Sequence, residues 1–361
     1  MKLKRKDFLK GLSFAAIAGA CGSVVGRGVP AAPRRTFLER LAEKGRGPFF
    51  IAHRGCQSLA PENTVASFVC AARLGLQAIE TDIHLAADGA LVCIHDDTLK
   101  RMFGVDREVS SMRLEELRKL TPIKGEKGKV KGLKSWPKEA LRIPTFGEYL
   151  DVCEKYDKVP FIETKGSVAV VNPILDELRR RDLIKVAVMS SIQIEHIRET
   201  RRIDKDVFIH HIFSTPELLD ELAAMGNAGL SYNYKDLAEV PEGLVAKVHA
   251  KGVKMCLRAG DTPETVVKMV EMGLDYIPTN VTVPLEAVAK LPRLRTGQSP
   301  SLPKTGWAGR PGGSHFNATA AADFGRNELR PSHLHLWRSD AMNCVPPVCI
   351  CVPPVCIFAT V

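Results

Sequence analysis

The sequence predicts an α/β protein folded as a TIM (β/α)8 barrel with an insertion after the second strand, and three observations carry that reading. Short apolar runs alternate with amphipathic stretches eight times between about residues 46 and 291, a length that suits such a barrel. Residues able to do chemistry stand at the C-terminal ends of the early runs, where barrel active sites belong. No GxGxxG or Walker loop follows any run, so the competing parse, an open doubly wound sheet around a nucleotide, lacks its signature.

Each element has its own local reason. The first strand, residues 48–52, is stopped by His53, Arg54 and Gly55, so a buried run delivers two cationic side chains to a glycine turn. A helix is expected over about 63–74, capped by Asn63 or Thr64, with Ala66, Phe68, Val69 and Ala72 on its apolar face and Gly75 ending it. Along the second strand, 78–85, side chains alternate, so Glu80, Asp82 and His84 share a face. Asp88 and Gly89 read as a two-residue hairpin loop, which sets Ala87 against Ala90 and His95 opposite Asp82. A helix over about 145–155 leads to the third strand, 159–164, whose end puts Glu163 and Lys165 on one face.

The remaining strands are expected at 185–190, 207–211, 229–232, 253–257 and 276–279, and the remaining helices near 171–181, 192–202, 216–225, 241–251, 262–272 and 283–291. Residues 97–142 form an insertion too long for an ordinary βα loop. Within it, 118–138 carry eight basic residues and one acid. That stretch is either a solvated loop or a collar that draws anions to the mouth.

Taken together, His53 to Gly55 as HRG, Pro61 to Thr64 as PENT, Glu80 to Asp82 as ETD, the Asp88–Gly89 turn and His95–Asp96 as HD resemble the signature of the glycerophosphodiester phosphodiesterase family. The resemblance implies a TIM barrel with an insertion at this place and hydrolysis of glycerophosphodiesters to an alcohol and glycerol 3-phosphate. It implies one divalent cation held by Glu80, Asp82 and Glu163, with His53 and His95 as acid and base. Three carboxylates suit Ca2+ or Mg2+ better than a soft metal, and no tight His or Cys spacing competes for one. A phosphodiester anion repels nucleophiles, so Arg54 and Lys165 are expected to bind the substrate and neutralise it beside the metal.

The resemblance weakens toward the C-terminal end of the barrel. Thr279 and Asn280 stand where the family usually shows Thr and Asp, and Leu257, Arg258, Ala259, Gly260 and Asp261 replace a Trp-containing run that lines its pocket. Arg258 offers an extra cation there, and Tyr232 and Tyr234 are candidates for a replacement aromatic wall. Two rivals share the site. One is a lysophospholipase D-like enzyme on the same barrel, the other a noncatalytic phosphodiester-binding protein.

Composition narrows the partners. The 361 residues are 45% hydrophobic, enough for a sizeable core, and carry a net charge of +10. That charge sits at the ends: residues 47–291 hold 33 basic and 35 acidic side chains, so the footprint of a nucleic-acid binder is absent. The partner expected is a small-molecule phosphodiester, and the composition leaves the oligomeric state open. Cys56, Cys70, Cys93, Cys153 and Cys256 are scattered singly in apolar contexts, which reads as small buried hydrophobes and not a disulfide framework.

The termini read as separate from the barrel domain, 34–295. Residues 1–33 open with Lys2, Lys4, Arg5, Lys6 and Lys10 ahead of an apolar stretch, 12–25, too short to span a bilayer comfortably. This is the pattern of an export signal and linker, directing the protein to the periplasm or cell envelope. Ala18 and Ala20 precede Cys21, which is either beside a cleavage site or itself a lipidated cysteine attaching the chain to a membrane. Residues 296–361, rich in Pro, Gly, Ser and Arg and ending in CVPPVCI written twice, read as a disordered low-complexity tail.

Overall fold

The first strand, β1 (Phe50–Ala52), is buried along its length because parallel neighbours flank it on both sides, β2 (Ala78–Leu85) and β9 (Ile277–Thr279). The computed structural model describes residues 34–43, 48–123, 137–281, 348–352 and 355–359. From β2 the parallel order continues through β4 (Val159–Thr164), β5 (Val188–Ser191), β6 (Phe208–His211), β7 (Ala228–Ser231) and β8 (Lys254–Cys256). The ladder breaks between β8 and β9, and two backbone hydrogen bonds cross that gap: Asp275 N–H to Met255 O at 3.0 Å and Gly260 N–H to Pro278 O at 2.8 Å. The eight parallel strands thus make the expected barrel.

The helices follow the sequence pattern closely. Thr64 caps α2 (Val65–Arg73) by accepting the Ser67 N–H, and the Ser67 hydroxyl accepts the Thr64 N–H in return. Thr145 and Glu148 close the same kind of box on α6 (Phe146–Lys155). The outer ring is completed by α7 (Val171–Arg180), α8 (Ile194–Ile203), α9 (Leu219–Met225), α10 (Leu244–Ala250) and α11 (Pro263–Glu271). The helix expected over 216–225 begins instead as a 3-10 turn, Pro216–Leu218, before α9. The helix expected at 283–291 lies outside the described residues.

Two features were not expected. A short helix, α1 (Phe37–Leu41), carries the fully buried Phe37, whose ring meets Phe49, Phe208 and Tyr276 edge-on with centroids 5.6, 4.7 and 5.8 Å away. These partners start or precede strands, so Phe37 plugs the bottom of the barrel, opposite the face formed by the strands' C-terminal ends. Deeper in, Tyr276 Oη and His210 Nδ1 lie 2.6 Å apart, and a Cβ on Gly229 would come within 2.2 Å of that hydroxyl. Gly229 therefore makes room for the pair.

The hairpin after β2 corrects one expectation. β3 (Leu91–Cys93) pairs antiparallel with β2 in the register His84 to Val92, which sets Ile94, not His95, opposite Asp82. The loop has three residues, Ala87, Asp88 and Gly89, closed by Ala86 N–H to Ala90 O, with Gly89 at φ 78°. A type I turn followed by a left-handed glycine adds the extra residue.

The insertion also differs from a bare loop. Its described part contains α3 (Lys100–Phe103), a 3-10 turn Val109–Ser111, α4 (Leu114–Leu117) and α5 (Lys138–Leu141). Leu99, Val109, Met112 and Leu117 pack with Val92, Ile94 and Ile143 into a small core of their own. Most of the basic stretch within 118–138 lies outside the described residues, as do residues 1–33 with Cys21. In the C-terminal segment, β10 (Val348–Val352) and β11 (Val355–Ala359) pair antiparallel, and the rest of the tail lies outside the described residues. No described helix is long and apolar enough to cross a membrane.

Candidate active site

The acidic cluster is a product of strand register. β2 and β4 run side by side with Asp82 level with Glu163, and Glu80 stands one step back on the same face. Ligand oxygens of these three buried residues lie within 4.8 Å of one another. Such crowding is costly without positive charge. Glu80 Oε1 is buried and has no hydrogen-bond partner, while Oε2 accepts the Arg54 backbone N–H at 2.6 Å. Burial, then repulsion from Asp82 and Glu163, pushes the Glu80 carboxyl well above its usual range. Burial and Asp82 raise Glu163 in the same direction.

Asp82 behaves oppositely. Burial opposes its ionisation, but Lys165, His95 and Arg54, with a hydrogen bond from Asn63 Nδ2 at 2.8 Å, hold it well below the usual carboxylate range. The Lys165 ammonium lies 3.1 Å from Asp82 Oδ1 and contacts Glu163 Oε1. Those two carboxylates outweigh its burial and keep it protonated. Ionised together, the three carboxylates carry more negative charge than Lys165 and an Arg54 shared with Glu62 can offset, a deficit that a divalent cation would make good. The orphaned Glu80 oxygen and the all-oxygen donor set fit such an ion.

The histidines come from two different turns. His53 follows β1, and the next turn is made by Gly55 at φ 75°, where a Cβ would sit 2.5 Å from the Ser67 hydroxyl. His53 Nδ1 is 2.6 Å from Asn280 Oδ1. Asn280 Nδ2 donates to Asp261 Oδ2 at 2.8 Å, and a carboxylate only accepts, so the amide oxygen faces the histidine. Nδ1 of His53 therefore carries the hydrogen and Nε2 keeps its lone pair. Burial, then the neighbouring Arg54, pushes His53 down to about 4.

His95 is oriented by acids and a base acting in series. Its Nδ1 lies 2.6 Å from Asp96 Oδ1. Arg101, on α3, donates to both Asp96 oxygens and to both oxygens of Glu62. Partial burial opposes ionisation of Asp96, but the bonds from His95 and Arg101 hold it well below the usual range. Nδ1 of His95 is thus the donor, and Nε2 is the nitrogen left for chemistry.

One cavity gathers His53, Arg54, Glu80, His95, Glu163 and Lys165, with Asp82 buried behind them. Arg54 reaches its wall, yet its Nη1 bonds Glu62 at 3.1 Å and its Nε lies 3.6 Å from Asp82. His84, grouped with the acids by alternation, lines no part of the cavity; its Nε2 lies 3.4 Å from the His95 carbonyl oxygen. Tyr232 and Tyr234 do not line it either. They pack on each other at 6.2 Å, and the aromatic wall is Phe161 and Phe213 instead. Cys56 and Cys256 are buried thiols whose pKa burial raises, as expected of packing residues.

Sequence reasoning passed over Glu62 and Arg101. Glu62 stood inside the PENT motif, so a signal existed; Arg101 had none, because its partners lie on separate loops. The roles of Asp261 and Gln57 around Asn280 were equally invisible, since these contacts span about 20 to 220 positions of sequence.

A model of the glycerophosphoryl diester phosphodiesterase family matches residues 53–283. The glycerophosphodiester phosphodiesterase of Caldanaerobacter subterraneus subsp. tengcongensis is 29% identical over 235 residues, covering 64% of this chain and 93% of that protein. Glycerophosphodiester phosphodiesterase 1 of Mus musculus is 30% identical over 177 residues, 48% of this chain and about half, 51%, of the relative's length. Among solved structures, an Oleispira antarctica phosphodiesterase in complex with the product sn-glycerol-3-phosphate superposes with a TM-score of 0.59 at 24% identity, covering 67% of this chain and 97% of that one. A glycerophosphodiester phosphodiesterase from Thermotoga maritima gives a TM-score of 0.53 at 21% identity, covering 66% and 97%. At these identities the structural likenesses establish the barrel.

Proposed function

This chain belongs to the glycerophosphoryl diester phosphodiesterase family, and on that premise we propose that it hydrolyses glycerophosphodiesters to an alcohol and glycerol 3-phosphate by paired histidine catalysis with one divalent cation. The observation that carries the mechanism is the pair of histidines whose Nδ1 atoms are both committed, one to Asn280 and one to Asp96, at a single cavity with the acidic triad.

Glu80, Asp82 and Glu163 would hold the ion, Ca2+ or Mg2+, and when bound it supplies concentrated positive charge against the phosphoryl oxygens. Lys165 adds a second positive group to the same wall. Arg54 acts from behind, bracing Glu80 through its backbone and Asp82 through its side chain. His53, neutral throughout the physiological range, takes the proton of the attacking hydroxyl on Nε2; that hydroxyl is water, or the glycerol hydroxyl next to the ester, in which case a cyclic phosphate forms as the alcohol leaves and water then opens it to glycerol 3-phosphate. His95 gives its Nε2 proton to the departing alkoxide, and Asp96 balances the charge its ring carries beforehand. The product structure of the Oleispira antarctica enzyme supports glycerol 3-phosphate as the product.

Export to the periplasm or cell envelope is part of this proposal, supported by the charged start and the apolar stretch at 12–25. A second reading, cleavage of lysophospholipids, is favoured by one observation. Ile192, about half exposed at 49%, lines the cavity beside Ile212 and Phe213.

The test is release of glycerol 3-phosphate from glycerophosphocholine and glycerophosphoethanolamine, with Ca2+, with Mg2+, and after chelation. Activity is expected to vanish with chelator and return with metal. His53→Ala and His95→Ala should each lower kcat by about 10²- to 10⁴-fold with the fold intact by circular dichroism. Chelator-resistant turnover would remove the cation from the mechanism, and turnover of lysophospholipid alone would favour the second reading.

A further inference from the structure

We propose that Arg258 is a second anion-binding position in the cavity, and that it selects glycerophosphodiesters carrying an additional negative group beyond the scissile phosphate. The inference rests on the hydrolytic reading above and names the substrate class within it. Of the three cations lining the cavity, two are already engaged. Arg54 is bonded to Glu62 and lies close to Asp82, and Lys165 is held by Asp82 and Glu163. Arg258 differs: its guanidinium lies 5.8 Å over the Phe213 ring, and no carboxylate among the described residues pairs with it.

Strand order places Arg258 well away from the acids. It follows β8, which lies across the barrel from β2 and β4. Phe213 lies under its guanidinium, and Ile192, Ile212 and Ala259 belong to the same cavity lining, which Arg258 shares with the acids Glu80 and Glu163. Arg258 is exposed at the rim of the cavity, so water screens part of its charge, but among the described residues no carboxylate neutralises it, and it remains available to any anion that enters. A choline or ethanolamine group arriving there meets repulsion, and a phosphate or carboxylate meets attraction.

The side chain is exposed, but the backbone that carries it is fixed. Leu257 before it is buried, and Gly260 after it is tied to Pro278 by a 2.8 Å backbone hydrogen bond. A Cβ on Gly260 would lie 2.3 Å from Ile277 Cγ2, so the segment lies flat against β9. Phe213 is held in turn by its N–H bond to Ser231 Oγ at 3.3 Å.

The test compares two substrates with the same glycerol ends, glycerophosphoglycerol and bis(glycerophospho)glycerol, the second carrying an extra phosphodiester anion. With the metal-loaded full chain, kcat/KM for the doubly charged substrate should exceed that for the singly charged one by about tenfold or more, expressed in KM. Its two cleavable ends account for a factor of about two. In Arg258→Gln the ratio should fall to about that statistical value, and Arg258→Lys should restore part of the preference. A wild-type ratio of about two, or a ratio unchanged in Arg258→Gln, overturns the inference while leaving the hydrolytic reading standing. No turnover of either diester sinks the hydrolytic reading and this inference with it.

Discussion

The nitrogen that His53 presents to the cavity is chosen by Asp261, which the ring never touches. Asp261 turns the Asn280 amide, and the amide oxygen then takes the Nδ1 hydrogen. Replacing that oxygen by a carboxylate changes the electrostatics with little change in shape. Asn280→Asp places a negative charge against the ring, favouring imidazolium, so His53 becomes protonated at higher pH than its value of about 4. A base must be neutral to accept a proton. The acid limb of the kcat/KM profile should therefore move upward by about one pH unit or more, and an unmoved limb would take His53 out of the base role. At this scale the sequence was informative where side chains alternate along one strand, as Glu80 and Asp82 do. It was silent on Asn280 and Asp261, because their pairing exists only once the barrel closes.

Elements bring their own errors and their own reach. Asp88–Gly89 fits a two-residue turn and equally ends a three-residue one, and the difference moves His95 by one place against β2. His95 still arrives at the cavity because its aim comes from α3, not from the ladder. Arg101 on that helix fastens Asp96 and Glu62 together, and Glu62 in turn holds Arg54. Arg101→Met should then lower kcat by about tenfold or more through His95, while divalent-ion affinity read by calorimetry changes little. An equal loss in both would mean that α3 merely supports the fold. The insertion's small core, Leu99 with Val109, Met112 and Leu117, explains how so short a helix holds its place. Its apolar residues were visible in the sequence, but their spacing has no single period, so no element announced itself.

Across the whole molecule, the eightfold alternation of apolar runs was enough to give the barrel, its strand ends and the location of the site. What fills the bottom and middle was not legible beforehand, because Phe37 and the Tyr276–His210 pair meet over large sequence separations. His210 is buried and neutral, pushed down to about 3 by burial, then by His211. The unfolded chain binds a proton near pH 6.5 that the folded chain refuses until about pH 3. Stability is thus full above 6.5 and is lost as the pH falls through that window, by up to about 1.4 kcal/mol per pH unit for this residue. Urea midpoints at pH 7 and pH 5 should show the fall, and His210→Phe should lessen it, with His53, His84, His196 and His211, also shifted down by burial, keeping the remainder; an equally steep fall in the variant would place the acid sensitivity elsewhere.

The gap in the ladder between β8 and β9 has a consequence for timing. Asp261 stands on one lip of that gap and Asn280 on the other, and the bonds joining them, with Thr279 Oγ1 to Asp261 Oδ1 at 3.3 Å, lace the lips together. The same stitches aim the base. Closing the cylinder and arming the enzyme are therefore one event, and whenever thermal motion parts the lips, the histidine loses its tautomer lock for as long as the seam stays open.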